Sequence, residues 1–162
     1  MDKQALLDQL FNRLRTNAQG AARASDAYAQ EAREGATPAE RRNDARVALE
    51  NAGLALSQSK RADRARADLS ALDGFRPNSF SPQAAIGLGA IVEVEDEEGG
   101  RTFFLAPAGA GEELSGPDGD GFLSVVTPAS PVGQAVLGRK AGECVAVTVK
   151  GEVRDWTITF VG

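Results

Sequence analysis

Residues 2–34 contain no proline, and within them Leu7, Leu10, Leu14, Asn17, Ala21, Ala24 and Tyr28 follow one another at alternating steps of three and four. That spacing is a heptad seam, and it commits the stretch to a helix with one face against another helix. Gly35-Ala36-Thr37-Pro38 then interrupts it, offering a glycine for a helix C-cap and a Thr-Pro pair for an N-cap and first turn. From Ala39 to Leu72 the seam resumes as Ala45, Ala48, Ala52, Ala55, Ser59, Ala62, Arg66 and Leu69. Two helices of about 33 residues joined by so short a turn run antiparallel, and at ~1.5 Å rise per residue each spans about 50 Å. No later segment offers a helix of comparable length, which favours a projecting hairpin over a closed bundle. Leu6, Leu7, Leu10, Phe11 and Leu14 gather at one end, facing Leu69 and Leu72, and the seam of the far part is mostly alanine. An arm that buries so little area per residue is expected to be kept for its reach.

Beyond Leu72 the turn formers of Asp73–Pro82 mark a crossing, and the period changes to two. Strands are expected at 90–95 and 102–105 around the acidic turn Asp96-Glu-Glu-Gly-Gly100, then at 122–126, 144–149 and 153–161. Ser130 to Gly138 reads as a short helix with a capped start and a terminating glycine, with Val132, Val136 and Leu137 as core residues. The glycine-rich stretch 107–121 is expected to be a mobile surface loop. The fold class is therefore α+β: an antiparallel helical coiled-coil hairpin over residues 1–74, then a small β-rich domain over 80–162.

The absence of histidine excludes Ser-His-Asp and Cys-His sites and histidine-bound metals, leaving carboxylates, Lys, Tyr, Ser or Thr for polar chemistry. Cys144 is the single cysteine, so an internal disulfide and a multi-cysteine zinc site are excluded; it is expected to be a buried strand residue. Residues 1–80 carry 13 basic and 11 acidic side chains and residues 81–162 carry 5 and 12, giving +2 and −7. So acidic a C-terminal half argues against direct nucleic-acid binding and for a basic protein surface as partner. No run of about 18 apolar residues is present, and the start is not signal-like, so a cytoplasmic protein is expected. It is read as a monomer, although the alanine-rich coiled coil leaves pairing with another copy open.

The segment Thr127-Pro-Ala-Ser-Pro-Val-Gly-Gln-Ala-Val-Leu-Gly-Arg-Lys-Ala-Gly-Glu-Cys-Val-Ala-Val147 resembles a signature of the Gre family, the secondary-channel elongation factors of bacterial RNA polymerase. Gly87-Leu-Gly-Ala-Ile-Val-Glu-Val94 resembles that family's opening strand, and the order of hairpin, linker and β domain agrees. The resemblance implies an FKBP-like fold for 80–162, docking on the rim of the channel, and a hairpin that reaches toward the polymerase's catalytic magnesium, touching nascent RNA only indirectly. It implies polymerase docking for Ser130, Pro131 and Gly133, beside the plain reading of Ser-Pro as a helix start.

The family's hairpin tip carries an Asp and, three residues on, a Glu, which help hold a Mg2+ shared with the polymerase. Here the resemblance sets Glu40 on the glutamate and Thr37 on the aspartate. Asp44, one turn after Glu40, is the substitute second ligand, or else Arg41 and Arg42 pair with these carboxylates. Two readings of the tip follow: stimulation of the polymerase's own transcript cleavage through Glu40 and Asp44, or occupation of the channel as a regulator without cleavage. The chain is not expected to be an enzyme in its own right. A prolyl isomerase, which the FKBP-like fold would also permit, needs an aromatic-lined pocket, and Trp156, Phe103, Phe104, Phe122 and Phe160 read more simply as β-sandwich core.

Overall fold

The computed structural model describes residues 2–33, 41–116, 119 and 121–162, with the side chains of 41–44 also outside the description. Two long helices, α1 (Lys3–Arg33) and α2 (Arg41–Leu72), precede a six-stranded sheet. The strands are β1 (Ile91–Asp96), β2 (Gly99–Leu105), β3 (Glu113–Ser115), β4 (Phe122–Val126), β5 (Cys144–Val149) and β6 (Glu152–Val161), with α3 (Pro131–Val136) between β4 and β5. By contacts the chain divides into Met1–Phe11 with Ala71–Gly162, and Asn12–Ser70. The α+β class expected from the two periods is the class observed.

Within 12–70 the helices run antiparallel: Ser25 Oγ donates to the Ala55 carbonyl at 2.9 Å, and Asn51 reaches Glu31 at 3.4 Å. The buried stripe is not quite the expected one. Ala18 is buried where Asn17 was expected, and in α2 Asn51 and Ala65 face inward in place of Ala52 and Arg66. A straight helix repeats every 3.6 residues, so a strict 3.5-residue seam drifts out of register, and alanines on several faces leave no large side chain to mark the drift. The interior here is alanine and half-buried polar residues: Ala18, Ala55, Ala62 and Ala65 are its most enclosed members alongside Leu14.

The sheet order is β3-β4-β2-β1-β6-β5, antiparallel except for β2 beside β4. One face carries Val92, Val94, Phe103, Leu105, Trp156 and Ile158, together with Val136 of α3 and Val145 and Val147 of β5. By strand alternation Ile91 and Phe104 point to the opposite face, where they are also buried. The first turns of α1 belong to this unit: Leu6 and Leu10 are fully buried, a Cβ on Gly109 would lie 2.7 Å from Leu10, and Gln9 exchanges two hydrogen bonds with the Ser115 backbone.

Several expectations need correction. The stretch 107–121 is not simply a loop, since β3 pairs with β4 and buries Leu114 completely, although residues 117, 118 and 120 lie outside the description. The domain holds one sheet rather than a sandwich, and of its aromatic residues Phe122 and Phe160 are exposed, not core. Leu137 is also exposed, because it caps α3 beyond the last buried turn. Cys144 lies in a strand as expected but faces solvent: β5 alternates, and Val145 and Val147 take the inward positions. The turn from β5 to β6 has two residues, Lys150 (φ 52°) and Gly151 (φ 86°), both left-handed, the pairing that matches the twist of a tight hairpin.

Candidate functional site

The expected docking residues form one turn. Ser130, in extended conformation (φ −72°, ψ 152°), caps α3: its Oγ accepts from Gly133 N–H at 3.1 Å and donates to the Thr127 carbonyl at 2.8 Å. Its own N–H donates to the same carbonyl at 3.0 Å, so Thr127 O gathers two donors from one residue. Pro131 opens the helix, where its missing N–H leaves nothing unsatisfied. Gly133 is buried, and a Cβ there would stand 1.9 Å from Thr127 O and 2.7 Å from its carbonyl carbon, so only glycine fits.

Val136 anchors this turn in the core, and the Gly138 amide bonds to Ile86 O at 2.8 Å. Pro131, Gln134 and Leu137 face outward, followed by the exposed cations Arg139 and Lys140. The structure thus brings Ser130, Pro131 and Gly133 together in one capped turn, with Pro131 exposed and Gly133 buried beneath it. The capping pattern was legible in sequence; the close approach that fixes Gly133, and the Gln134 amide bond to Ala129 O at 3.3 Å, were not.

The tip residues stand apart from this. Glu40 and Thr37 lie outside the described residues, and Asp44 sits in the first turn of α2 with its side chain outside the description. Among the described residues, no group of three or more His, Cys, Asp or Glu side chains could hold a metal ion.

A second polar cluster, not singled out by the sequence, occupies the β1–β2 turn. Asp96 Oδ1 accepts from the amides of Glu98 (2.9 Å) and Gly99 (3.1 Å), and Oδ2 accepts from Trp156 Nε1 at 2.9 Å. Arg154 lies 3.7 Å from Asp96, bonds Glu98, and reaches Glu152 at 3.5 Å. Trp156, 1 % exposed, stacks on Phe103 with centroids 5.5 Å apart, and the Arg101 guanidinium carbon lies 5.6 Å from the centre of its ring. Burial works against the charged form of Asp96. The Glu98 amide, the Trp156 indole, the nearby Arg101 charge and the Gly99 amide outweigh it and hold this carboxyl below its usual range. Hydrogen bonding and charge from Arg154 hold Glu98 below its range as well, and Glu98 in turn raises Arg154. Every member has a partner inside the protein, so the cluster fastens a turn and secures the core indole; it leaves no carboxylate poised for proton transfer.

No helix of the described chain is long and apolar enough to cross a membrane. No family profile matches the sequence, and no curated protein does. Among solved structures the chain is similar to the GreA factor homolog 1 (Gfh1) protein of Thermus thermophilus, at 19% identity over 98% of this chain and 93% of that one, TM-score 0.40. It is also similar to Gfh1 of Thermus aquaticus, at 17% identity over 95% and 92%, TM-score 0.38. A prokaryotic transcription elongation factor GreA/GreB from Nitrosomonas europaea is 21% identical over 70% of this chain and 89% of that one, TM-score 0.36.

Proposed function

We propose that this chain is a factor of the Gre type that binds bacterial RNA polymerase, docks through the turn at Ser130, Pro131 and Gly133, and places its hairpin in the secondary channel. The observation that carries the reading is the hairpin itself. Its helices of 31 and 32 residues are each about 47 Å long at ~1.5 Å per residue. Beyond Leu14 their interior is mostly alanine with half-buried polar residues, and Val47, Leu49, Leu54 and Leu56 of α2 stay exposed, a poor return in buried area for so long an arm unless reach is its use. The segment 127–147, which carries the sequence resemblance, supports the reading by folding as a capped helix leading into an edge strand.

On this reading the protein is not itself an enzyme; it acts on the polymerase's own active centre. Glu40 and Asp44 are the residues that would hold a shared Mg2+, whose chemistry would be to activate water and offset charge on a scissile phosphate. Thr37 has no carboxylate where the resemblance expects one. With one ligand short and Arg41 and Arg42 beside Glu40, affinity for the shared ion falls, so occupation of the channel is the principal effect and transcript cleavage is weak. Prolyl isomerase activity is the weaker reading, because Trp156 is sealed against Phe103 in the interior.

Cleavage of backtracked RNA in stalled elongation complexes tests this directly. Thr37→Asp should raise it, and Glu40→Ala should abolish any residual cleavage without lowering polymerase affinity. Robust cleavage by the unaltered protein that survives both Glu40→Ala and Asp44→Ala would refute the assignment of the tip.

A further inference from the structure

We propose that the free edge of β5 pairs antiparallel with β5 of a second copy of this chain, about a two-fold axis at Ala146, so that the two sheets become one. This is independent of the polymerase reading. β5 ends the sheet, and its six residues, Cys-Val-Ala-Val-Thr-Val, contain no charge, proline or glycine. Natural sheet edges are normally blunted by charge, proline, a bulge or brevity. The opposite edge, β3, has only three residues, whereas β5 keeps an unbroken register from Cys144 opposite Thr157 to Val149 opposite Glu152.

The direction of its backbone groups follows from the ladder. Ile158 N–H donates to the Glu143 carbonyl at 2.9 Å, and the two-residue turn closes at Val149 and Glu152. Alternation then turns the amides and carbonyls of Glu143, Val145, Val147 and Val149 toward β6, and those of Cys144, Ala146 and Thr148 toward the free edge. A two-fold axis perpendicular to the sheet keeps each face on its own side, so only residues of like parity can be opposed. Centred on Ala146, it pairs all three outward residues: Ala146 with itself, and Cys144 with Thr148 in both directions, for about six new backbone hydrogen bonds.

The side chains agree with that register. On the solvent face alanine meets alanine and cysteine meets threonine, and on the core-side face Val145 meets Val147. No like charges are opposed, and Glu143 of each copy comes to the end of the strand where the other carries Lys150. An extended segment of an unrelated protein could use the same edge through its backbone. What favours a second copy is that this register opposes only uncharged residues and brings Glu143 of each copy toward Lys150 of the other at both ends. The contact is one strand wide, and interfaces burying less than ~1,200 Å² are generally transient, so the pairing should depend on concentration.

Sedimentation equilibrium from about 10 to about 500 µM is the test, the upper end reaching the affinities of small interfaces. The mean mass should climb from 16.9 kDa toward twice that value. Ala146→Pro deletes an outward N–H and leaves the β6 ladder intact, so it should remain monomeric throughout with unchanged Trp156 emission. A spin label on Cys144, the sole cysteine, adds a distance: four residues along and one strand across place the two Cα atoms about 15 Å apart. A single species of monomer mass over the whole range would overturn the proposal, as would a dimer unmoved by folded Ala146→Pro. If that variant fails to fold, the label decides, and separations beyond about 30 Å at the highest concentration would exclude this register.

Discussion

Gly133→Ala sets two effects of opposite sign against each other inside α3. Alanine is the better helix former by about 1 kcal/mol, so propensity alone predicts stabilisation. The added Cβ, however, would stand 1.9 Å from the Thr127 carbonyl oxygen, well over 1 Å inside contact distance, and the obstacle is backbone, which cannot swing aside. Overpacking of this kind costs about 1–3 kcal/mol. Moving α3 outward to relieve it stretches the bond from Gly133 N–H to Ser130 Oγ, a cap contributing about 1 kcal/mol. The net result is a loss of about 2 kcal/mol, which at a slope of ~2 kcal/mol per molar urea lowers the unfolding midpoint by about 1 M. Trp156 is the only tryptophan and is 1 % exposed, so its fluorescence follows the sheet unit directly. Gly53→Ala is the control, since that glycine lies in α2 with nothing within 4 Å of a Cβ, and helical circular dichroism should show a gain of up to about 1 kcal/mol. A Gly133→Ala midpoint equal to or above that of the unaltered protein would refute the steric argument.

Leu10→Ala should destabilise the sheet unit by about 3 kcal/mol, read through Trp156, because Leu10 is fully buried beside Gly109 and its removal leaves a cavity; a change confined to the helical signal would contradict that placement. For Asp96 the folded carboxyl titrates below its unfolded value, so its stabilising contribution is complete above the unfolded pKa of ~3.9 and is lost as pH falls through the folded value. The urea midpoint of the unaltered protein should therefore fall more steeply below about pH 4 than that of Asp96→Asn, and parallel profiles would show that the carboxylate's charge contributes nothing.

What the sequence made legible follows from the size of the signal each residue carries. β1, β5 and β6 were readable because large and small or polar side chains alternate along them, and α3 because Ser-Pro and Gly138 bracket it. β3 was not, since Leu114 is the one apolar residue in a three-residue strand set among glycines. Phe103, Phe104 and Leu105 are all buried, because both faces of β2 are covered there, so alternation gave no warning that Phe122 and Phe160 would be exposed. The bond from Trp156 to Asp96 spans 60 residues and depends on sheet order, which no local pattern encodes. At the candidate site, the cap at Ser130 could be read from residue types alone. The requirement for glycine at 133 could not, because it arises from the path of the backbone at Thr127.

The proposed engagement of bacterial RNA polymerase is measured most directly by co-migration of the purified protein with core polymerase. Association should be detectable at micromolar concentration and should be weakened by Pro131→Asp. That residue is exposed at the first position of α3, where an acidic side chain is compatible with the helix, so the fold should be preserved. Absence of any association, or association that a folded Pro131→Asp variant leaves unchanged, would contradict the account.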